Sequence, residues 1–564
     1  MYLFHFLRSF LPLRNPIGFG VSDFVELALA LLLAGLLFGW GYFGGWLRKL
    51  AEHERWCLLL IGLLPVVLRL ILLPRCPVPI PAGADDFGYV LLADTLRHFR
   101  LANPPHPLSQ FFEAVFILQR PAYSSIYPLA QGIVLAFGRI LFGNFWAGAL
   151  ISSGVLCAAC YWMLRGWVSA GWALLGGFLA VMTFGPLCQW TNSYWGGDVS
   201  AIAGCLVFGA LPRLKGPQQG RRRRGSAVVL GIGLALQLLS RPFEFLILLA
   251  AVLMYLIWTR EWRLARGQIA IVAACIIGAL ILSGAQNRAV TGSLTTLPYS
   301  ISRYQYGVPT TFTFQPNPVP HRALTAEQRL DYQAQAVAHD TAAGPFQRFA
   351  YRVRYYRFFL FAPLYLAVLA FLISATTRIE WWIISTVLLF AVATDFYPYF
   401  YPHYVAAEAP LFVLIAVRGL ERINRWKPEI GRLIVLFCGA QFVFWYGLHL
   451  IAGQNLWGAF HYEPQDFINY GDSESRIAIQ DTLARQPGQQ LVFVRYGPRH
   501  EFHEWVHNDA DIDAARIVWA RDLGEEDDKL RAYFPNRSVW LLEPDAKPPR
   551  LTPYPVSARS ETAK

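Results

Sequence analysis

Long apolar runs separated by short polar connections organise most of the chain, and this pattern predicts membrane-spanning helices. A span needs about 20 apolar residues, and fewer are enough where its ends reach the interface. Residues 24–454 hold twelve such runs and form the predicted transmembrane domain. The runs are 24–47, 56–74, 145–165, 170–190, 198–212, 226–240, 243–259, 268–284, 358–375, 380–397, 403–418 and 432–452. The sequence therefore predicts a mainly α protein, a polytopic transmembrane helical bundle of about 12 spans.

The two ends of the chain differ from this bundle. Residues 1–23 are apolar but broken by arginines and prolines, which predicts an N-terminal interfacial segment rather than a signal peptide. Residues 455–564 are polar, and β-like runs flank a charged helix at 525–533. The runs are 491–496, 516–520 and 538–542. They predict a small C-terminal α/β domain outside the membrane, and residues 544–564, rich in Pro, Ser and charge, predict a loose tail.

Composition and charge agree with an integral membrane protein and indicate its orientation. Charged residues make up 15% of the 564 residues and hydrophobic residues 55%, whereas a soluble domain carries about 25% charge. Basic clusters such as 213–224 lie in short connections, and such clusters mark the cytoplasmic side. The alternative, that 221–224 bind nucleic acid, lacks an accompanying fold or aromatic platform, so no nucleic-acid partner is expected.

The apolar segment 127–143 decides the topology. If it crossed the membrane, two basic clusters would lie on opposite sides; as an amphipathic interfacial helix, it leaves every basic cluster in the cytoplasm. We adopt the interfacial interpretation. The first long loop (75–144), the second long loop (285–357) and the C-terminal domain are then extracytoplasmic, on a protein that crosses the inner (plasma) membrane many times.

Two adjacent carboxylates, Asp85 and Asp86, stand just beyond an apolar run and at the start of a helical pattern. Helix capping is the simplest role, because Asp is favoured at the N-cap and in the first turn. The functional alternative is that the pair supplies a general base or binds a divalent cation such as Mg²⁺ or Mn²⁺.

The acidic pair is followed by further motifs in an order that resembles the GT-C glycosyltransferase superfamily. An Arg-Pro-Ala-Tyr segment (120–123) and a Tyr-Pro-Leu-Ala-Gln-Gly segment (127–132) come next, and Asp198 ends a later loop at 192–198. A hairpin turns at 240–244, and Tyr-Pro-His-Tyr (401–404) opens a late span. The chain is most similar to protein O-mannosyltransferases, aminoarabinose transferases and Rgt-type enzymes over residues 56–420. The span 24–47 is additional to that pattern.

This resemblance implies a membrane glycosyltransferase, a hexosyl or pentosyl transferase that inverts the sugar and takes it from a polyprenyl-phosphate donor. The acceptor would be an envelope glycan, a lipid or a protein, and membrane lipids would surround the enzyme. The implied catalytic residues are Asp85, Asp86 and Asp198, with Asp86 as the base. The implied substrate- and phosphate-binding residues are Arg120, Tyr123, Tyr127, Gln131, Arg241, Glu244, Arg348, Arg352, Arg354, Arg357 and His403.

The last four arginines also stand out without the resemblance, because Arg binds phosphate through a bidentate fork. Lipid-headgroup contact is the equal alternative for these arginines. Arg241 and Glu244, three residues apart at a turn, also have a simpler role as an ion pair with each other.

Two other functional classes stay open. His503-Glu504-Trp505-Val506-His507 matches the H-E-x-x-H motif of zinc peptidases, in which a helix places both His on one face. The flanking residues predict a loop, so surface histidines are the preferred interpretation. A transporter or flippase would explain intramembrane acids, but it favours internal repeats, and the two halves show none.

Overall fold

The computed structural model describes residues 40–81, 83–214, 220–259, 266–452, 475–498, 500 and 504–555. The predicted segment 1–23 and most of the predicted span 24–47 lie outside these residues. The described helices before the second loop are α1 (Trp40–Ala51), α2 (Glu54–Ile71), α3 (Ala84–Arg97), α4 (Leu129–Phe142), α5 (Trp146–Leu164), α6 (Ala170–Phe184), α7 (Gly197–Arg213), α8 (Gly220–Ser240), α9 (Pro242–Trp258) and α10 (Arg266–Thr291). Those that follow are α11 (Pro298–Tyr306), α12 (Ala326–Asp340), α13 (Pro345–Tyr355), α14 (Tyr365–Ile373), α15 (Arg378–Thr394), α16 (Ala409–Trp426), α17 (Pro428–Ala452), α18 (Arg476–Arg485) and α19 (Asp527–Tyr533).

The protein is mainly helical, as predicted. Within the described ranges, 4 helices are long and apolar enough to cross a membrane: Trp146–Leu164, Arg266–Thr291, Pro402–Trp426 and Pro428–Ile451. Shorter apolar helices accompany them, and α6 and α9 are examples. The predicted helical fold class is thus confirmed, while the number of twelve spans stays a prediction.

Small residues allow the helices of the bundle to pack closely. A Cβ atom on Gly204 of α7 would lie 1.8 Å from the carbonyl oxygen of Ala407, which belongs to a 3-10 helix (Pro402–Glu408) that leads into α16. Such contacts between small residues hold membrane helices together, because lipid leaves no hydrophobic drive between them. The same core buries Trp190 and Trp382.

The first long loop carries α3, a short hairpin and α4. The hairpin pairs β1 (Ile117–Leu118) with β2 (Ser124–Ser125) in antiparallel register. Helix α4 lies within the segment predicted to be an interfacial helix, and its 14 residues are fewer than a span needs. Its position relative to a membrane stays a prediction.

The C-terminal domain is a mixed four-stranded sheet of order β4-β3-β5-β6. Its strands are β3 (Gln490–Val494), β4 (Ile517–Arg521), β5 (Ser538–Glu543) and β6 (Arg550–Pro553). The three predicted strands and the predicted helix, α19, are all present, with β3 parallel to both β4 and β5. The remaining strand corrects the prediction of a loose tail, because β6 pairs antiparallel with β5 and places Leu551 opposite Leu542.

Both long loops pack against this domain and form one layer with it, which we call the loop layer. Arg322 of the second loop lies 3.0 Å from the Glu113 carboxylate of the first loop. Arg521 of the C-terminal domain pairs with Glu327 of α12. The backbone N–H of Val115 donates to Glu504 Oε2 at 3.2 Å. Charged contacts thus join three segments that are far apart in sequence.

Candidate active site

Helix α3 begins with the acidic pair, and Asp86 has the contacts of a capping residue. Asp86 Oδ2 accepts the backbone N–H of Gly83 at 3.4 Å, and its Oδ1 accepts the N–H of Tyr194 at 3.0 Å. Its side chain is 6% exposed. Carboxylates in the first turn satisfy N–H groups that have no partner within the helix. Asp86 therefore both caps α3 and ties it to the loop before α7.

Asp85 has different surroundings, although it is the adjacent residue. Its Oδ1 accepts the hydroxyl proton of Tyr127, and Gly88 makes room for that ring. A Cβ at Gly88 would lie 2.7 Å from Tyr127 Cε2, so any larger residue would displace the ring. Burial raises the pKa of Asp85, although the Tyr127 hydroxyl and the charge of Arg241 act in the opposite direction.

Arg241 lies at the turn before α9 and brings a positive charge to this site. Its Nε donates to Glu244 Oε1 at 3.0 Å, so the ion pair suggested by their spacing is present. Its guanidinium also lies 4.6 Å from the ring centroid of Tyr404. The Tyr397 hydroxyl donates to the same Glu244 oxygen at 3.4 Å. Glu244 and the rings thus hold in place a guanidinium whose charge acts on Asp85.

Tyrosines from four segments surround the two charges. The Tyr127 ring stacks on Tyr89 at 4.2 Å and meets the edge of Tyr299 at 5.9 Å. On the other side, the rings of Tyr397 and Tyr404 lie 4.8 Å apart. We call this group, with Asp85 and Arg241, the Asp85 site.

The second loop adds a further carboxylate, Asp331 of α12. Burial and the nearby charge of Asp85 raise the pKa of Asp331 to about 7, against the hydrogen bond that Gln335 donates to it at 2.7 Å. Gln335 in turn accepts the hydroxyl proton of Tyr399 at 3.3 Å. Asp331 was not predicted as a site residue, and neither were the tyrosines at 299, 397 and 399. The run Tyr-Pro-Tyr-Phe-Tyr-Pro-His-Tyr (397–404) was the signal that could have revealed most of them.

Three other predicted residues lie elsewhere. Asp198 is 2% exposed in the first turn of α7, where its Oδ2 accepts the Ser152 hydroxyl proton at 3.3 Å within the bundle. Arg120 is exposed at the loop surface. Tyr123 donates its hydroxyl proton to the carbonyl of Asn508 at 3.1 Å and so contacts the C-terminal domain. The described contacts do not bring these residues to Asp85, and their predicted roles stay predictions.

Two of the four predicted phosphate-binding arginines, Arg348 and Arg352, contact the segment that follows α15. Arg348 lies 3.2 Å from the Asp395 carboxylate, and the buried Arg352 donates to the carbonyl of Tyr397 at 2.6 Å. Arg354 lies 5.0 Å from the Tyr351 ring centroid, and Arg357 belongs to a 3-10 helix (Tyr356–Phe359) that follows α13. Arg352 therefore holds the start of the tyrosine-rich segment 397–404, whose Tyr404 ring contacts Arg241.

Gln131 and His403 flank the site. Gln131 donates to the carbonyl of Tyr194 at 2.9 Å, so it and Asp86 together hold both backbone groups of that residue. His403 stacks on Tyr401 with 5.7 Å between ring centroids, and its ring meets the Trp195 edge at 5.1 Å.

The H-E-x-x-H segment is not helical where the structure describes it. Residues 504–507 form neither helix nor strand, and His503 lies outside the described residues. His507 stacks on Phe87 instead, with ring centroids 3.4 Å apart. The helical geometry of a zinc peptidase is thus missing from the described part of this segment.

A divalent cation does not fit the described residues of the Asp85 site. No three His, Cys, Asp or Glu side chains come together there or elsewhere in the described ranges. The charge of Arg241 already acts on Asp85 and lowers its pKa, and this charge disfavours a further cation in the same place. No step of the reaction below is therefore assigned to a metal.

Comparisons with known proteins gave structural matches alone. No protein-family model and no curated protein matches the sequence. The crystal structure of ArnT from Cupriavidus metallidurans in the apo state is 12% identical, with a TM-score of 0.49 over 86% of this chain and 92% of that chain. Its complex with undecaprenyl phosphate gives 12% identity and a TM-score of 0.48 over the same shares, 86% and 92%.

A second kind of protein also matches. The Archaeoglobus fulgidus oligosaccharyltransferase in the apo form is 13% identical, with a TM-score of 0.41 over 78% of this chain and 62% of that chain. At 12–13% identity, both kinds of match are similarities of structure alone.

Proposed function

We propose that the protein is a membrane glycosyltransferase, which moves a sugar from a polyprenyl-phosphate donor to an acceptor hydroxyl or amine on the outer face of the membrane. One observation carries the proposal. The carboxylate of Asp85 lies close enough to the Arg241 guanidinium for that charge to act on its pKa, within a group of tyrosines contributed by both long loops and the ends of spans. Sugar transfer from a phosphate needs a base and a cation at one place, and these residues supply both.

In the proposed reaction, Asp85 and Arg241 have separate roles. Asp85 takes the proton of the acceptor hydroxyl or amine, and the acceptor atom forms a bond to C1 of the sugar. The bond from C1 to the phosphate oxygen breaks, and its electron pair leaves with the polyprenyl phosphate. Arg241 stabilises that charge as it develops. Attack opposite the phosphate inverts C1, and a raised pKa makes Asp85 a better proton acceptor.

The assignment within the acidic pair differs from the sequence prediction, which gave Asp86 as the base. Both oxygens of Asp86 accept backbone N–H groups, so a proton there would disrupt the start of α3. Asp85 instead accepts the hydrogen bond of the Tyr127 hydroxyl, and the charge of Arg241 acts on it. We therefore assign the base to Asp85 and a positioning role to Asp86.

The first experiment identifies the product. Envelope glycans, lipids and glycoproteins are compared by mass spectrometry in cells that lack the protein and in cells that regain it. We expect one sugar modification to disappear and return, and to stay absent when the returned protein carries Asp85→Asn. Return of the modification with Asp85→Asn would contradict the proposed base.

A transporter is the alternative function, and the same experiment, together with a flux measurement, distinguishes it. The purified protein in liposomes would then move a solute across the bilayer without any sugar transfer, and the cell comparison would show no missing modification. That pair of results would replace the proposal.

A further inference from the structure

One face of α3 is covered by the C-terminal domain. Phe87, Leu91 and Asp94 recur at helical spacing, so they form a single stripe. The Phe87 ring stacks on His507 with an interplanar angle of 8°. Leu91 belongs to a buried cluster with Phe493 of β3, and Asp94 Oδ2 accepts the backbone N–H of Ala510 at 2.8 Å. The domain thus contacts α3 from its first turn almost to its end.

A second side chain of the domain strengthens the contact at the first turn. The guanidinium of Arg476 lies 4.8 Å from the Phe87 ring centroid and 4.4 Å from that of Trp505. Arg476 also donates to the carbonyl of Glu504. Phe87 follows the acidic pair directly, so whatever fixes this ring also fixes the direction in which Asp85 projects.

The His507 contact depends on ring packing rather than on charge. Burial, together with the neighbouring Arg476 charge, keeps the pKa of His507 well below its usual value, so the imidazole is neutral. Its Nε2 is buried without a hydrogen-bond partner among the described residues. A phenyl ring should therefore replace the imidazole without loss, whereas a side chain without a ring should not.

We propose that the C-terminal domain positions the acidic helix for transfer, with His507 as the positioning residue that holds Phe87 and thereby the direction of Asp85. This inference rests on the proposed function for its catalytic consequence. The positioning itself can be measured independently, because the backbone of α3 reports how firmly it is held.

The test is hydrogen exchange of the full-length protein in lipid nanodiscs, together with the cellular product assay. An aromatic pair is worth about 0.5–1.5 kcal/mol, which corresponds to about a 2- to 10-fold change. We expect His507→Ala to speed amide exchange in α3 by that factor and to lower transfer similarly, while α4 exchanges as before. His507→Phe should restore both. His507→Gln, which keeps more volume but no ring, gives the same comparison if His507→Ala does not accumulate.

His500→Ala is the matched control, because His500 pairs with Asp545 and packs on Tyr496 within the same domain. It should leave α3 exchange and transfer unchanged. Unchanged α3 exchange in His507→Ala would overturn the inference, and so would faster exchange with full transfer. If no variant and no wild type transfers sugar, the proposed function fails, but the exchange result still shows whether the domain holds α3.

Discussion

Asp85 and Glu408 are carboxylic acids that belong to two different regions of the molecule. Glu408 lies in the helix bundle with 0% of its surface exposed, beside Tyr356. Asp85 lies in the loop layer and is a half-buried residue that contacts Tyr127, and the charges of Arg241 and Asp85 and of Asp85 and Asp331 act on each other. Glu408 has no exposure, whereas Asp85 combines partial exposure with partners from other segments. That combination, rather than burial, defines a site for chemistry.

The largest expected effect separates these two acids. Asp85→Asn removes the proposed base and should lower sugar transfer about 100- to 10,000-fold, because this is the typical contribution of a positioned base. Glu408→Gln keeps shape and volume in a place that no substrate reaches, so transfer should stay near the wild-type rate. The measurement is the product by mass spectrometry per folded protein. Equal loss in both variants would remove the distinction between the regions.

Arg241 gives the next largest effect. Arg241→Gln removes the charge proposed to stabilise the leaving phosphate and should lower transfer about 100- to 1,000-fold, as loss of one preorganised donor does. Arg241→Lys keeps a point charge and should lose less. Glu244→Gln controls for the broken ion pair, since it disturbs the partner and keeps the guanidinium. A Glu244→Gln loss as large as that of Arg241→Gln would show that the pair, and not the charge, matters.

Asp331 should move the pH dependence rather than abolish transfer. Its pKa of about 7 means that its negative charge appears as the pH rises through 7, and this charge disfavours ionisation of Asp85. Because the two carboxylates repel each other, Asp331→Asn should shift the acidic limb of the pH–rate profile to lower pH. An unchanged acidic limb in the Asp331→Asn variant would show that Asp331 of the second loop does not act on Asp85.

Asp86→Asn should have a small effect. The amide oxygen still accepts a backbone N–H, so the free energy of unfolding should change by about 1 kcal/mol or less. Transfer should fall much less than in Asp85→Asn, because the proposed base is still present. Thermal unfolding and the product assay together check this. A loss equal to that of Asp85→Asn would return the base to Asp86.

Removal of divalent cations should have the smallest effect. Arg241 supplies the positive charge at the Asp85 site, so treatment of the purified protein with EDTA should leave the rate of transfer unchanged. Loss of transfer that Mg²⁺ or Mn²⁺ restores would show that a cation enters the site and would revise the role of Arg241.

The fold was largely predictable, because hydrophobic patterning acts locally. The strands of the C-terminal domain and α19 follow from apolar runs and turn residues. The strand β6 was missed because its sequence, Arg-Leu-Thr-Pro, has one large apolar residue and gains its stability from pairing with β5. Helix α18 was also missed. Its pattern of apolar residues is weak, and Arg476 in this helix contacts Phe87, which is far away in the sequence.

The site was predictable only in part. The acidic pair, Tyr127 and Arg241 stand out by motif, but nothing local indicates which carboxylate caps the helix and which faces the tyrosines. Asp331 sits in a polar helix where an acid is unremarkable, and only folding brings it near Asp85. Conversely, the H-E-x-x-H match has the residue types of a zinc peptidase motif, but its described residues, 504–507, are not helical and lack the geometry that the motif needs.

The stacking of His507 on Phe87 has a consequence for biosynthesis. The chain is made from its N-terminus, and His507 emerges more than four hundred residues after Phe87. At about 5–20 residues per second, the acidic helix waits about 20 to 80 seconds for its support. During that time α3 lacks the contact with His507. On the proposed function, we expect a chain that ends before His507 to transfer sugar more slowly than the complete chain, by at least the factor of about 2 to 10 expected for His507→Ala.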